Sequence, residues 1–136
     1  MASDDDGIVG LDHVQIPIPA GGEDAVRTFY GGLVGLTEVP KPAPLVVLGG
    51  CWFAGKGVAL HFGVEEDFRP SLRAHVALLV DDLEGLRAKL DAAGVVTIDD
   101  PMPIGVRRFY TTDPMGNRLE LVDVRDGGFT VPTVTS

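Results

Sequence analysis

The chain has a single cysteine, Cys51, so an internal disulfide is excluded and a reducing compartment is the natural setting. It is poor in basic side chains. The 11 Lys and Arg stand against 20 Asp and Glu, a formal net charge of -9, and no basic run exceeds the pair Arg107-Arg108. Such a surface repels a phosphate backbone, which excludes nucleic acid as a partner. No apolar run approaches the roughly 20 residues that span a bilayer. The opening MASDDDG is acidic and lacks the apolar stretch of a signal peptide, so we expect no membrane partner and a cytoplasmic location. Also missing are the Gly-x-Ser-x-Gly nucleophile elbow, a Gly-rich phosphate loop ending in Lys-Ser or Lys-Thr, and a dinucleotide fingerprint. The 18 glycines serve turns and helix ends instead.

What remains is a chain of 136 residues, 45% hydrophobic and 23% charged, the size and composition of one folded domain. Residues 1–7 and 126–136 lack periodicity and are expected as loose tails. Between them the sequence repeats itself. LDHVQIPI (Leu11 to Ile18) predicts a strand, and Val26, Phe29, Tyr30 and Leu33 fall at the i, i+3, i+4, i+7 spacing of a helix. RAHVALLV (Arg73 to Val80) predicts a second strand. DDLEGLRAKLDAAG then carries a capping signature in Asp81 with Glu84, a leucine face of Leu83, Leu86 and Leu90, and a terminating Gly94. Three strand-like segments follow each helix: LTEVPK, LVVLGGCWFAG and GVALHFGV in the first half, VVTID, GVRRFYTTD and NRLELVD in the second. The last two of each half are joined by turn residues and read as hairpins. The fold class is therefore α+β, a tandem of βαβββ modules at 8–66 and 72–125. Each is small enough to gain from packing on the other or swapping with a second chain, so we expect a homodimer.

The three histidines fit this repeat. His13 and His75 open the first strand of each half, both followed by valine; His61 lies in the last strand of the first half, where the second half has Glu120. Four candidate ligands thus occupy two repeat-equivalent positions, and a pseudo-twofold pairing of the sheets would bring them to one point. Imidazole with carboxylate suits Zn, Ni, Fe(II), Mn or Co. One histidine on an apolar strand is more often a satisfied core or rim residue, but all of them obeying one internal symmetry favours a shared metal site.

The βαβββ tandem, the two His-Val pairs and DPMGNRLEL (Asp113 to Leu121) resemble the vicinal oxygen chelate superfamily, which includes glyoxalase I, fosfomycin-resistance enzymes, extradiol dioxygenases and metal-free bleomycin-binding proteins. The resemblance runs from about Ile8 to Val124 and implies a half-barrel metal-binding cleft. It implies His13, His75 and Glu120 as metal ligands, with His61 where glyoxalase I has a glutamate. It also implies a small substrate that chelates the ion through adjacent oxygens, with Glu120 or His61 moving a proton in an isomerisation, epimerisation or elimination. An imidazole in place of the second carboxylate leaves the site more positive, which favours an anionic substrate. Tyr110 stands where phosphonate-binding and extradiol members often carry a tyrosine, implying a catalytic or hydrogen-bonding role. Arg108, sharing its parity, is the candidate anion clamp. Gln15 points the same way as His13, and Trp52 faces the cleft if the turn before His61 has two residues. Two alternatives stay open: an extradiol-type Fe(II) dioxygenase using the two-histidine, one-carboxylate triad, and a metal-free drug-binding or resistance protein.

Overall fold

A computed structural model describes residues 7–102, 104–126 and 128–129; most of both expected tails lies outside these residues. The first module comprises β1 (Val14–Ile18), α1 (Glu23–Val26) continuing as a π-helical stretch (Arg27–Leu33), β2 (Thr37–Val39), a short helix α2 (Ala43–Val46), β3 (Cys51–Gly55) and β4 (Val58–Val64). The second comprises β5 (His75–Val80), α3 (Leu83–Ala92), β6 (Thr97–Asp99), β7 (Arg108–Thr112) and β8 (Arg118–Asp123). Two four-stranded mixed sheets result, with strand orders β1-β4-β3-β2 and β5-β8-β7-β6.

The repeat holds at the level of register. Gln15 pairs with His61 and Trp52 with His61 in the first sheet; Ala77 pairs with Glu120 and Tyr110 with Glu120 in the second. His61 and Glu120 are therefore equivalent positions, as are Trp52 and Tyr110. Alternation along the strands assigns the faces. Ile16, Ile18, Cys51, Phe53, Leu60 and Phe62 are buried from the first sheet, and Leu78, Phe109, Leu119 and Leu121 from the second, in one core with Val26, Phe29, Tyr30 and Leu90 of the helices. The residues between them in sequence face the other way, so the candidate site residues share the face opposite the core.

Three local expectations need correction. Leu45 to Leu48 is not strand. Pro42 at the N-cap (φ -53) and Pro44 in the first turn preset helical φ, and Gly49 and Gly50 at φ +74 and +82 then break the chain, so β3 starts only at Cys51. Gly50 has a reason to be glycine, because an added Cβ would lie 2.1 Å from the Phe62 carbonyl oxygen. The α3 cap is Asp82 rather than Asp81: its Oδ1 accepts the Gly85 N–H at 3.0 Å. The first helix keeps its apolar spacing but widens after Val26, the Val34 N–H donating to Phe29 O at 2.9 Å.

The DPMGN turn joins the modules. Asp113 accepts the Met115 and Asn117 N–H groups, both at 2.9 Å, through one carboxylate oxygen. Its other oxygen accepts the buried Tyr30 hydroxyl at 2.7 Å, and the Asn117 amide donates to Pro17 O at 2.9 Å. Burial, reinforced by the Asp113 charge, pushes the Tyr30 phenol well above its usual pKa, keeping it a donor. Among the described residues no helix is long and apolar enough to cross a membrane.

Candidate metal centre

The four candidate ligands form two pairs, one in each module; His75 opens β5 as expected, whereas His13 stands one residue before β1 rather than opening it. In the first, the His61 ring lies parallel to Trp52 (centroids 3.7 Å apart, 4° between planes) and to His13 (3.9 Å, 17°). Cross-strand pairing places Trp52 beside His61, and Gly55 pairs with Val58, so the turn is indeed the two-residue Lys56-Gly57. Stacking occupies the ring faces and leaves the in-plane nitrogens open at the edge. Burial, then the neighbouring His13, pushes the His61 pKa below its ordinary 6.5 and favours a neutral imidazole. His13 Nδ1 lies 2.7 Å from Asp12 Oδ2, a hydrogen bond that holds Asp12 below the usual carboxylate pKa. With Nδ1 donating, His13 presents Nε2 as its lone-pair end.

In the second pair, His75 Nδ1 lies 2.8 Å from the Arg73 carbonyl oxygen, and Nε2 lies 2.9 Å from Glu120 Oε1. A carbonyl only accepts, so Nδ1 carries a hydrogen. Nε2 then faces a carboxylate, also an acceptor, and the contact is favourable only with a cation between them, either a proton or a metal ion. Glu120 is only 3% exposed, so this demand is not relieved by water. Its Oε2 accepts from Arg108 Nη1 at 3.0 Å. Arg108 is in turn bound to Asp100 at 2.6 Å and donates to the Tyr110 hydroxyl oxygen at 2.8 Å. The Tyr110 phenol, accepting there, keeps its own hydrogen for a further partner.

The donor types fit a borderline divalent ion, and each histidine of the Asp12–His13 and Arg73–His75 contacts has its second nitrogen tied to an acceptor, as metal-ligating histidines do. Within one chain, however, no three His, Cys, Asp or Glu side chains among the described residues are grouped so as to hold one ion. The structure brings His13 to His61 and Trp52, and His75 to Glu120, Arg108 and Tyr110, but does not bring one set to the other. Gln15 is exposed beside His61. Sequence reasoning missed Asp12, Asp100 and Arg118. Asp12 adjoins His13 and Arg118 shares the parity of Glu120, signals that alternation contains; Asp100 lies in a loop with no pattern to mark it.

The family model described as Glyoxalase/Bleomycin resistance protein/Dioxygenase superfamily matches residues 10–121. The chain belongs to this superfamily. Among solved structures, a glyoxalase family protein from Bacillus anthracis is 42% identical, with a TM-score of 0.83 over 87% of this chain and 97% of that one. The fosfomycin resistance protein FosX from Listeria monocytogenes shares the fold at 15% identity, TM-score 0.71, covering 85% and 92% of the two chains. A FosX variant crystallised with Mn(II) and 1S,2S-dihydroxypropylphosphonic acid aligns at 16% identity, TM-score 0.73, over 86% and 93%. No curated protein sequence gives a significant match.

Proposed function

We propose that the protein is a divalent-metal-dependent enzyme of the vicinal oxygen chelate type, acting on a small substrate that binds through adjacent oxygens and undergoes proton transfer in an isomerase, epimerase or lyase reaction. The observation that carries this reading is the His75–Glu120 contact: an imidazole nitrogen and a buried carboxylate oxygen 2.9 Å apart, with the far nitrogen already donating, a pair that calls for a proton or a metal ion. The FosX structures add that this fold accommodates Mn(II) and a ligand with neighbouring hydroxyls. His13, His75 and Glu120 would hold the ion, with His61 as fourth ligand or acid-base residue. Because the two pairs stand apart in one chain, the complete centre would form in a homodimer, where the His13–His61 pair of one chain meets the His75–Glu120 pair of the other. The exposed faces that carry them, with Leu79 61% exposed, leave room for such a cover.

When bound, the ion supplies Lewis-acid stabilisation of charge developing on a chelating oxygen. The chain supplies the rest. Asp12 and the Arg73 carbonyl fix the imidazole tautomers, and Arg108 orients the Glu120 carboxylate. Neutral His61 accepts a proton at a ring nitrogen, and the Tyr110 hydroxyl donates to a substrate oxygen. Gln15 and Trp52 would line the substrate side of the first sheet.

Titration of chelator-stripped protein with Mn(II), Zn(II), Ni(II), Co(II) and Fe(II) tests the reading. Stoichiometric binding that His75→Ala and Glu120→Ala each abolish is expected; a folded wild-type protein that takes up none of the five ions contradicts it. One observation favours a second reading. His61, stacked between Trp52 and His13, would stand off the ion, leaving the two-histidine, one-carboxylate triad of extradiol Fe(II) dioxygenases. Anaerobic loading with Fe(II), followed by a catechol and oxygen, separates the two: oxygen uptake with ring cleavage supports the dioxygenase, and its absence removes it.

A further inference from the structure

The arginines around the second sheet are of two kinds. Arg108 is held by Glu120 and Asp100 at once, with its side chain 9% exposed, so its charge is already matched. Arg118 is not matched. It sits on β8 two residues before Glu120, is the cross-strand neighbour of His75, and rests with its guanidinium carbon 4.0 Å from the Tyr110 ring centroid. No carboxylate among the described residues lies within ion-pair distance of it. Stacking on Tyr110 orients the planar guanidinium while leaving its N–H edge free, so little freedom remains to be lost on binding a ligand.

Arg118 lines a cavity of about 370 Å³ with residues of β1 and β5, a size that suits a small metabolite. Arg69 lines the same cavity and is likewise without an ion-pair partner among the described residues. Ser71 Oγ accepts the Arg73 and Ala74 N–H groups at 3.3 and 3.0 Å, so the hydroxyl hydrogen is available to another acceptor. Gln15 adds an amide, and Glu65 is the one carboxylate of the lining. In a chain of net charge -9, two unmatched guanidinium groups on one cavity form a local positive site against an unfavourable overall field.

We propose that this cavity is a subsite for a small oxyanion, a carboxylate, phosphate or phosphonate, held in a forked hydrogen bond by Arg118 with Arg69 and Ser71 beside it. Arg118, rather than Arg108, is then the anion clamp. This rests on the metal-enzyme reading in one respect: His75 lines the same cavity, so the anion is the charged end of the substrate whose other oxygens reach the ion. Binding of the anion itself requires no metal.

The test is calorimetric titration of chelator-stripped full-length protein with methylphosphonate at fixed ionic strength, with neutral dimethyl methylphosphonate as the control. Methylphosphonate alone is expected to bind, weakened about tenfold or more by Arg118→Gln, less by Arg69→Gln, and partly restored by Arg118→Lys, since a bidentate contact becomes a point charge. Lys56→Gln, an equal change of charge on the distant β3–β4 turn, should bind as the wild type does. Thermal melts and metal titration of Arg118→Gln, both expected to match wild type, separate loss of the clamp from loss of the fold. Absence of methylphosphonate binding to wild type, an Arg118→Gln affinity within about twofold of it, or an equal loss in Lys56→Gln would overturn the proposal. Anion binding by a protein that takes up no metal would sustain the subsite while refuting the metal-enzyme reading; metal uptake without anion binding would do the reverse.

Discussion

A histidine reports its role through what its two nitrogens touch. His75 donates from Nδ1 to a carbonyl and turns Nε2 to a carboxylate that water barely reaches, and His13 donates from Nδ1 to Asp12. The four ligand candidates were legible in sequence because the repeat indexed them and period-two alternation set Trp52, Arg108 and Tyr110 on their face. Hydrogen-bond commitments were not legible: Arg108 is matched twice because the fold brings in the loop residue Asp100, while Arg118 has no carboxylate partner among the described residues. Arg108→Gln removes the guanidinium partner of buried Glu120. In chelator-stripped protein the expected loss is about 3–5 kcal/mol, the cost of breaking a buried pair, read by denaturant unfolding. Saturating metal should recover part of it, because an ion supplies positive charge to the same carboxylate. A variant as stable as wild type without metal would mean that Glu120 does not need Arg108.

At the scale of elements, most strands were legible because β-type apolar runs, alternating in β3 and β7, are bounded by turn residues that mark each hairpin. The segment from Leu45 to Leu48 was not, since an apolar run of that length suits strand or helix alike, and the flanking prolines and the Gly49-Gly50 break decide it. The DPMGN turn was the most specific piece of sequence, and in the fold it acts as a clasp, with Asp113 and Asn117 fastening the second module to Tyr30 and Pro17 of the first. Tyr30→Phe strands one oxygen of a carboxylate that is 4% exposed. It should cost about 1–3 kcal/mol in denaturant unfolding while leaving metal affinity unchanged; an altered metal affinity with full stability would assign the turn to the site instead of the fold.

At the scale of the whole molecule, an acidic chain must hold buried carboxylates charged. Arg125, through its side-chain hydrogen bonds, lowers the pKa of fully buried Asp123 from 3.8 to about 2. A depressed folded-state pKa stabilises above the unfolded value and loses that contribution as pH falls through the folded one, so this carboxylate should contribute to a decline in stability from near pH 4 to near pH 2. Asp123→Asn should flatten that part of the stability profile, and an unchanged slope would mean that other carboxylates govern it. The larger question at this scale is whether the two ligand pairs, apart in one chain, meet between two. Mixing His13→Ala with Glu120→Ala after joint refolding answers it. If the centre is shared, every mixed dimer combines one intact His13–His61 pair with one intact His75–Glu120 pair. The mixture should then bind about a quarter of the wild-type metal, given statistical pairing of the two variants. If each variant binds none alone and the mixture also binds none, the site shared between chains is contradicted.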